Sequence, residues 1–168
     1  ASRWRGAKDE DWRYREFRAN SGPLYWLVSL AAIHLFPTVV VFLGLLPVHG
    51  AMATPQPPLS PTLALGLLLT AAAIGLESTA DRQLRAHRRR SPDTLCRSGV
   101  WGTLRHPNYI GELGFWLGLF ISSVGLGAPL WTGVGFIAMC GVFFGYSIPA
   151  MKRHLREKRR LAAPTRND

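Results

Sequence analysis

Acidic residues are scarce in this sequence. Ten Asp and Glu stand against twenty Lys and Arg, for a formal charge of +10. Cysteine is scarcer still, at two residues. Cys96 lies in a basic stretch and Cys140 in an apolar one, so no disulfide is expected. None of the five histidines joins a cysteine at zinc-ligand spacing, so no metal site is expected. No Ser-His-Asp, Cys-His or phosphate-loop arrangement appears. The first residues are charged and carry no apolar core of a signal peptide. The chain begins at Ala1, which fits a fragment or a processed form.

What is present is apolar. Hydrophobic residues make up 48% of the chain. High hydrophobicity and high charge coexist because they are segregated. That segregation argues against a nucleic-acid-binding domain, the usual reading of so basic a chain. Apolar stretches long enough to cross a bilayer alternate with short basic ones.

The expected architecture is all-α: an integral membrane protein with four transmembrane helices and an N-terminal interfacial helix. Residues 1–22 mix charge with Trp4, Trp12, Tyr14 and Phe17, as a surface-lying helix does. The membrane domain covers 23–151. Its spans are expected at about Pro23–Leu46, Pro61–Ala80, Asn108–Val124 and Leu130–Met151, with a kink at Pro37. A loop over Pro47–Ser60 joins the first two. The connection 81–107 and the tail 152–168, with the N-terminal stretch, hold every Lys and Arg. The positive-inside rule then places both termini in the cytoplasm, with a bacterial inner membrane as the expected location. The last residues, Ala162–Asp168, read as disordered.

Glu112 is the most informative residue. It falls early in an otherwise apolar span, where an ionisable group is costly and marks function by default. Asn108 and Trp116 share its face at i, i±4 spacing. The competing reading is a structural ion pair with Arg105 or another basic loop residue. Ahead of it, Arg105, His106 and Pro107 lead into a helix start whose free N–H groups suit an anion such as a cofactor phosphate. They equally suit a juxtamembrane anchor, with Tyr109 in the aromatic belt. Glu77, Asp81 and Arg85 form a second i, i+4 series: a salt-bridged face, or partners for a ribose or amine. Arg85, His87, Arg88, Arg89, Arg90 and Arg97 are a topology signal and lipid contact more readily than ligands. His34 reads as a satisfied buried histidine. The glycines from Gly99 to Gly118 suit close helix packing.

The string Leu95-Cys96-Arg97-Ser98-Gly99-Val100-Trp101-Gly102-Thr103-Leu104-Arg105-His106-Pro107-Asn108-Tyr109-Ile110-Gly111-Glu112 resembles the C-terminal family of steroid 5α-reductases. It is most similar to bacterial members long catalogued as a domain of unknown function. Glu77–Gln83 and Glu10–Arg18 are similar to segments of the same members. The resemblance implies a membrane-embedded, NADPH-dependent reductase of a carbon–carbon double bond in a sterol-like or other lipid. It implies cofactor contacts at Asn108 and Glu112, with Asp81, Arg105, Tyr109 and His106 beside them. It assigns no catalytic residue. Family members usually carry further spans upstream, which supply part of the substrate pocket and the acid. After Ser147-Ile148-Pro149 they tend to carry a glutamate, where this chain has Ala150-Met151-Lys152. The runner-up resemblance is to isoprenylcysteine carboxyl methyltransferase-like enzymes, which use S-adenosylmethionine. Acidic Glu112 and Asn108 favour the reductase. A non-catalytic membrane or lipid-binding protein is the third reading. The oligomeric state is open.

Overall fold

The computed structural model describes residues 18–19, 21–55, 59–92, 94–153 and 156. Among the described residues the chain is helical, with no strand. The helices are α1 (Gly22–Met52), α2 (Pro61–Arg90), the short α3 (Val100–Thr103), α4 (Pro107–Gly125) and α5 (Leu130–Arg153). The chain divides into two compact units, Ala1–Phe42 and Leu43–Asp168. The expected N-terminal interfacial helix lies largely outside the described residues, as does most of the C-terminal tail.

Three helices, α1, α2 and α5, are long and apolar enough to cross a membrane, against the four expected. The stretch that falls short is α4. Its 19 residues reach about 28 Å at 1.5 Å per residue, so length is not the reason. Asn108, Glu112 and the glycines lower its apolarity. Packing explains why the sequence can allow this: Ile110 is the only exposed residue in α4. A helix whose sides meet protein has no need of a lipid-compatible surface. The other three instead present large apolar side chains outward, among them Phe42, Leu68 and Ile137, at 64%, 70% and 70% exposure.

In the first unit, α1 opens with a 3-10 turn at Gly22–Leu24 and widens to a π turn over Leu30–Leu35. The π turn lies just before Pro37, which has no N–H to return to the preceding turn. His34 is satisfied there, its Nδ1 3.0 Å from the Ser29 carbonyl, but it is exposed rather than buried as expected, because it lies on the outward side of α1. Thr38 donates to the His34 carbonyl at 2.7 Å. The helix then runs on through Pro47, which the sequence places in a loop. Pro47 is instead buried within the helix. Membrane-type helices tolerate such a proline where neighbouring groups satisfy the freed carbonyl.

In the second unit, α2 and α4 run antiparallel with almost no side chain between them. A Cβ added to Gly125 would stand 2.5 Å from the Leu63 nitrogen, and one at Gly66 2.5 Å from the Ser122 hydroxyl. One at Gly118 would stand 2.7 Å from the Thr70 nitrogen, and one at Gly111 2.8 Å from the Glu77 Cβ. Small residues at these positions let the backbones touch, which is how helices associate where apolar burial offers little advantage. The end near Ser60 is tied by hydrogen bonds. Ser60 caps α2 by accepting from the Leu63 N–H and donates to the Gly125 carbonyl at 3.2 Å. Thr54 donates to the Leu126 carbonyl at 3.2 Å. On the other sides, Trp116 of α4 lies against Gly44, and Gly135 of α5 lies against the Leu43 backbone.

Gly118→Val is expected to destabilise the fold by about 1–3 kcal/mol or more, because the new side chain meets the Thr70 hydroxyl and, behind it, the backbone of Thr70 and Gly66, which cannot move aside. Gly141→Val, at a helix position with nothing within 4 Å, is expected to change little. Thermal unfolding of the detergent-purified proteins checks the contrast.

Candidate functional site

The site is built at the opposite end of the α2–α4 pair, where the chain leaves α2 at Arg90 and returns at Pro107. Three contacts fold this connection back onto α2. His87 Nε2 lies 3.0 Å from the Thr94 hydroxyl. The Val100 N–H donates to the Gln83 side-chain oxygen at 2.9 Å. The Trp101 indole N–H donates to the Ala80 carbonyl at 2.9 Å. Gly99 makes the approach possible. Its φ is +59, and a Cβ there would press on the Gln83 amide, so only glycine fits. Ala80, Gln83 and His87 recur at helical spacing and form one face of α2.

The connection delivers Arg105 and His106 to the start of α4. His106 occupies the capping position, yet its side chain makes no capping hydrogen bond, and Pro107 follows at the first helical position. The N–H groups of the first turn, with the positive end of the helix dipole, therefore face outward from the helix without a side-chain cap. His106 stacks on Tyr109 at 5.4 Å with planes 23° apart. Tyr109 meets Phe143 of α5 edge-on at 5.1 Å. The far end of α5 brings Lys152 close enough for its charge to act on His106. Burial, then the charge of Arg105, then that of Lys152, holds the His106 pKa below its ordinary value.

Carboxyls meet one turn deeper. The Glu77 Cβ rests against Gly111, and Glu77 lies within electrostatic reach of Glu112 and of Asp81. Asp81 pairs with Arg85 at 3.5 Å, both side chains well exposed. That is the only ion pair among the described residues, so the structural ion pair weighed for Glu112 is not formed there. Asn108 and Glu112 make no side-chain hydrogen bond among the described residues.

Of the residues singled out from sequence, Arg105, His106 and Tyr109 gather with Lys152 and Phe143. Glu112 instead gathers with Glu77, which links it to Asp81. Trp116, on the Glu112 face by spacing, turns out to be a packing residue against Gly44. Two site residues were undervalued. Glu77 read as a surface salt-bridge member, although its distance of one helical turn from Asp81 was visible. Lys152 looked like a departure from the resembled pattern, and only the path of α5 reveals its proximity to His106. Cys96 and Cys140 are free thiols. No cluster of metal-ligating side chains forms among the described residues.

The fold and this site define a protein that is helical throughout its described residues, with three helices long and apolar enough to cross a membrane and an ionisable cluster at one end of a tightly packed helix pair. The chain belongs to the family described as protein of unknown function (DUF1295), whose model matches residues 1–164. No curated protein and no solved structure matches it.

Two expected outcomes follow from this geometry. In Gln83→Ala the Val100 amide loses its acceptor, and hydrogen exchange across 94–103 is expected to speed up by at least tenfold, with α4 unaffected. For His106, the lowered pKa means that the unfolded chain binds the proton more tightly than the folded one. The stability it contributes is therefore present at neutral pH. It is lost as pH falls through its ordinary value of about 6.5. A His106→Gln variant is expected to flatten the dependence of thermal stability on pH between about 7 and 5.

Proposed function

We propose that this chain is a membrane-embedded, NADPH-dependent reductase of a carbon–carbon double bond in a sterol-like or other lipid, or the cofactor-holding part of one. The observation that carries the reading is the uncapped start of α4 with Arg105, His106 and Lys152 gathered around it. A dinucleotide phosphate is the ligand such a place fits. Below it, Asn108, Glu112, Glu77 and Asp81 offer amide and carboxyl groups suited to ribose hydroxyls and a carboxamide. In this reading Arg105 and Lys152 hold negative charge, and neutral His106 with Tyr109 forms a flat wall beside it. Glu112 and Asn108 fix the orientation of the reacting ring. The bound cofactor supplies hydride; the protein supplies position and electrostatics.

We place α4 as a fourth span. With Ile110 its one exposed residue, it crosses the bilayer with little surface facing lipid, which is where polar residues in membrane helices belong. Both termini then lie on the side that holds every Lys and Arg, the cytoplasmic side of a bacterial inner membrane.

One observation favours a second reading. Glu77 and Glu112 have no cation partner among the described residues, and S-adenosylmethionine carries a sulfonium and an ammonium. A methyltransferase would use these carboxyls to hold positive charge.

Calorimetric titration of the purified chain separates the two. NADPH binding that weakens at least tenfold in Glu112→Ala and in Arg105→Gln supports the reductase. Binding of S-adenosylmethionine without NADPH sinks it. Binding of neither ligand leaves the non-catalytic membrane protein as the better account.

A further inference from the structure

Helix α2 is longer than a bilayer requires, and its extra length is arginine-rich. It runs 30 residues from Pro61 to Arg90, about 45 Å at 1.5 Å per residue, against a hydrocarbon core of about 30 Å. With Pro61 at one edge of that core, Arg82 stands about 32 Å along the helix and Arg85 about 36 Å. Both fall in the headgroup layer at the other edge. Arg89 stands about 42 Å along, and its long side chain reaches back toward that layer.

The structure also shows which face these arginines occupy. The connection 91–106 is docked on the face of Ala80, Gln83 and His87. Helix α4 is docked on the face of Gly66, Ala73 and Glu77. At about 100° per residue, Arg82, Arg85 and Arg89 fall together on the side away from both. All three are exposed. Arg85 has its weak pair with Asp81. Arg82 donates to the Ser78 carbonyl at 3.2 Å and the Thr79 hydroxyl at 3.3 Å. Arg89 has no side-chain partner among the described residues. The stripe is thus positive, open to the surroundings and at phosphate depth.

We propose that the stripe Arg82–Arg85–Arg89 is a binding surface for anionic phospholipid headgroups, separate from the site at the start of α4. It rests on α2 crossing a bilayer and not on the choice of cofactor. Charge complementarity selects the occupant. At this depth the available anions are lipid phosphates, and an exposed arginine near an anionic leaflet gains roughly fivefold in lipid affinity.

The test uses the full chain in phosphatidylcholine vesicles carrying spin-labelled phosphatidylglycerol or spin-labelled phosphatidylcholine. The measured quantity is the preference of the protein-contacting lipid for phosphatidylglycerol. Wild type is expected to show a clear preference that falls severalfold in Arg82→Gln/Arg89→Gln. Arg85 is left in place because it touches Asp81 of the candidate site. The preference is expected to survive in Arg82→Lys/Arg89→Lys, and to shrink in wild type as salt rises toward about 0.5 M. If the glutamine variant does not fold, the salt response of wild type decides alone. A preference unchanged in the glutamine variant, or unmoved by salt, overturns the proposal. So does loss of bound phosphatidylglycerol on adding NADPH, which would make the arginines cofactor ligands. Failure of the reductase reading would show in the cofactor titration and leave this preference intact.

Discussion

The contact on which the rest of the second unit depends is the one between the backbones of α2 and α4. Gly66, Gly111, Gly118 and Gly125 remove the side chains that would hold the helices apart. Close approach fixes the two helices in register from Leu63 to Glu77 of α2 and from Gly111 to Gly125 of α4. That register sets Glu77 beside Gly111, and so beside Glu112. It also sets the height at which α4 begins relative to the end of α2, and hence how far the connection 91–106 must travel to close the gap.

The same contact explains why a polar helix can sit in an apolar protein. Helix α4 carries Asn108 and Glu112 and exposes only Ile110. Its neighbours take the apolar surroundings, and it is released from that duty. The polarity that lowers its standing as a span is the polarity the candidate site needs. A helix packed among its neighbours is the element of such a protein that can hold these groups, here half-buried, with least exposure to hydrocarbon.

Much of this was legible in the sequence. The apolar runs marked α1, α2 and α5 because lipid-facing helices must be apolar over their full length. Glu112 and the segment Arg105–Tyr109 stood out because charge is costly in such surroundings. Gly111 and Gly118 are among the glycines the sequence marks for close helix packing, whereas Gly66 and Gly125 show their part only in the packed pair. What was not legible depended on partners distant in sequence. Pro47 looked like a loop residue because a proline lacks an N–H, and nothing local reveals that the helix continues past it. Trp116 shared a face with Glu112, yet its contact at Gly44 comes from a helix seventy residues earlier. Lys152 and Glu77 belong to the site only once α5 and α2 are placed against α4.

The π turn in α5 at Phe143–Ser147 bears on that last point. Phe143 touches Tyr109, and nine residues later Lys152 acts on His106. On an unbroken α-helix, residues nine apart point about 180° away from each other. A π turn absorbs one additional residue, which brings the two to within about 80°. The bulge therefore works as a rotation built into the chain, turning the cation at the end of α5 back toward the aromatic pair. A single-residue deletion within Phe143–Ser147 would restore ordinary helix and keep its length nearly unchanged. The lysine would then stand eight residues from Phe143 and keep about the same 80° offset, so the bulge is what lets this helix carry one residue more without turning its cation away.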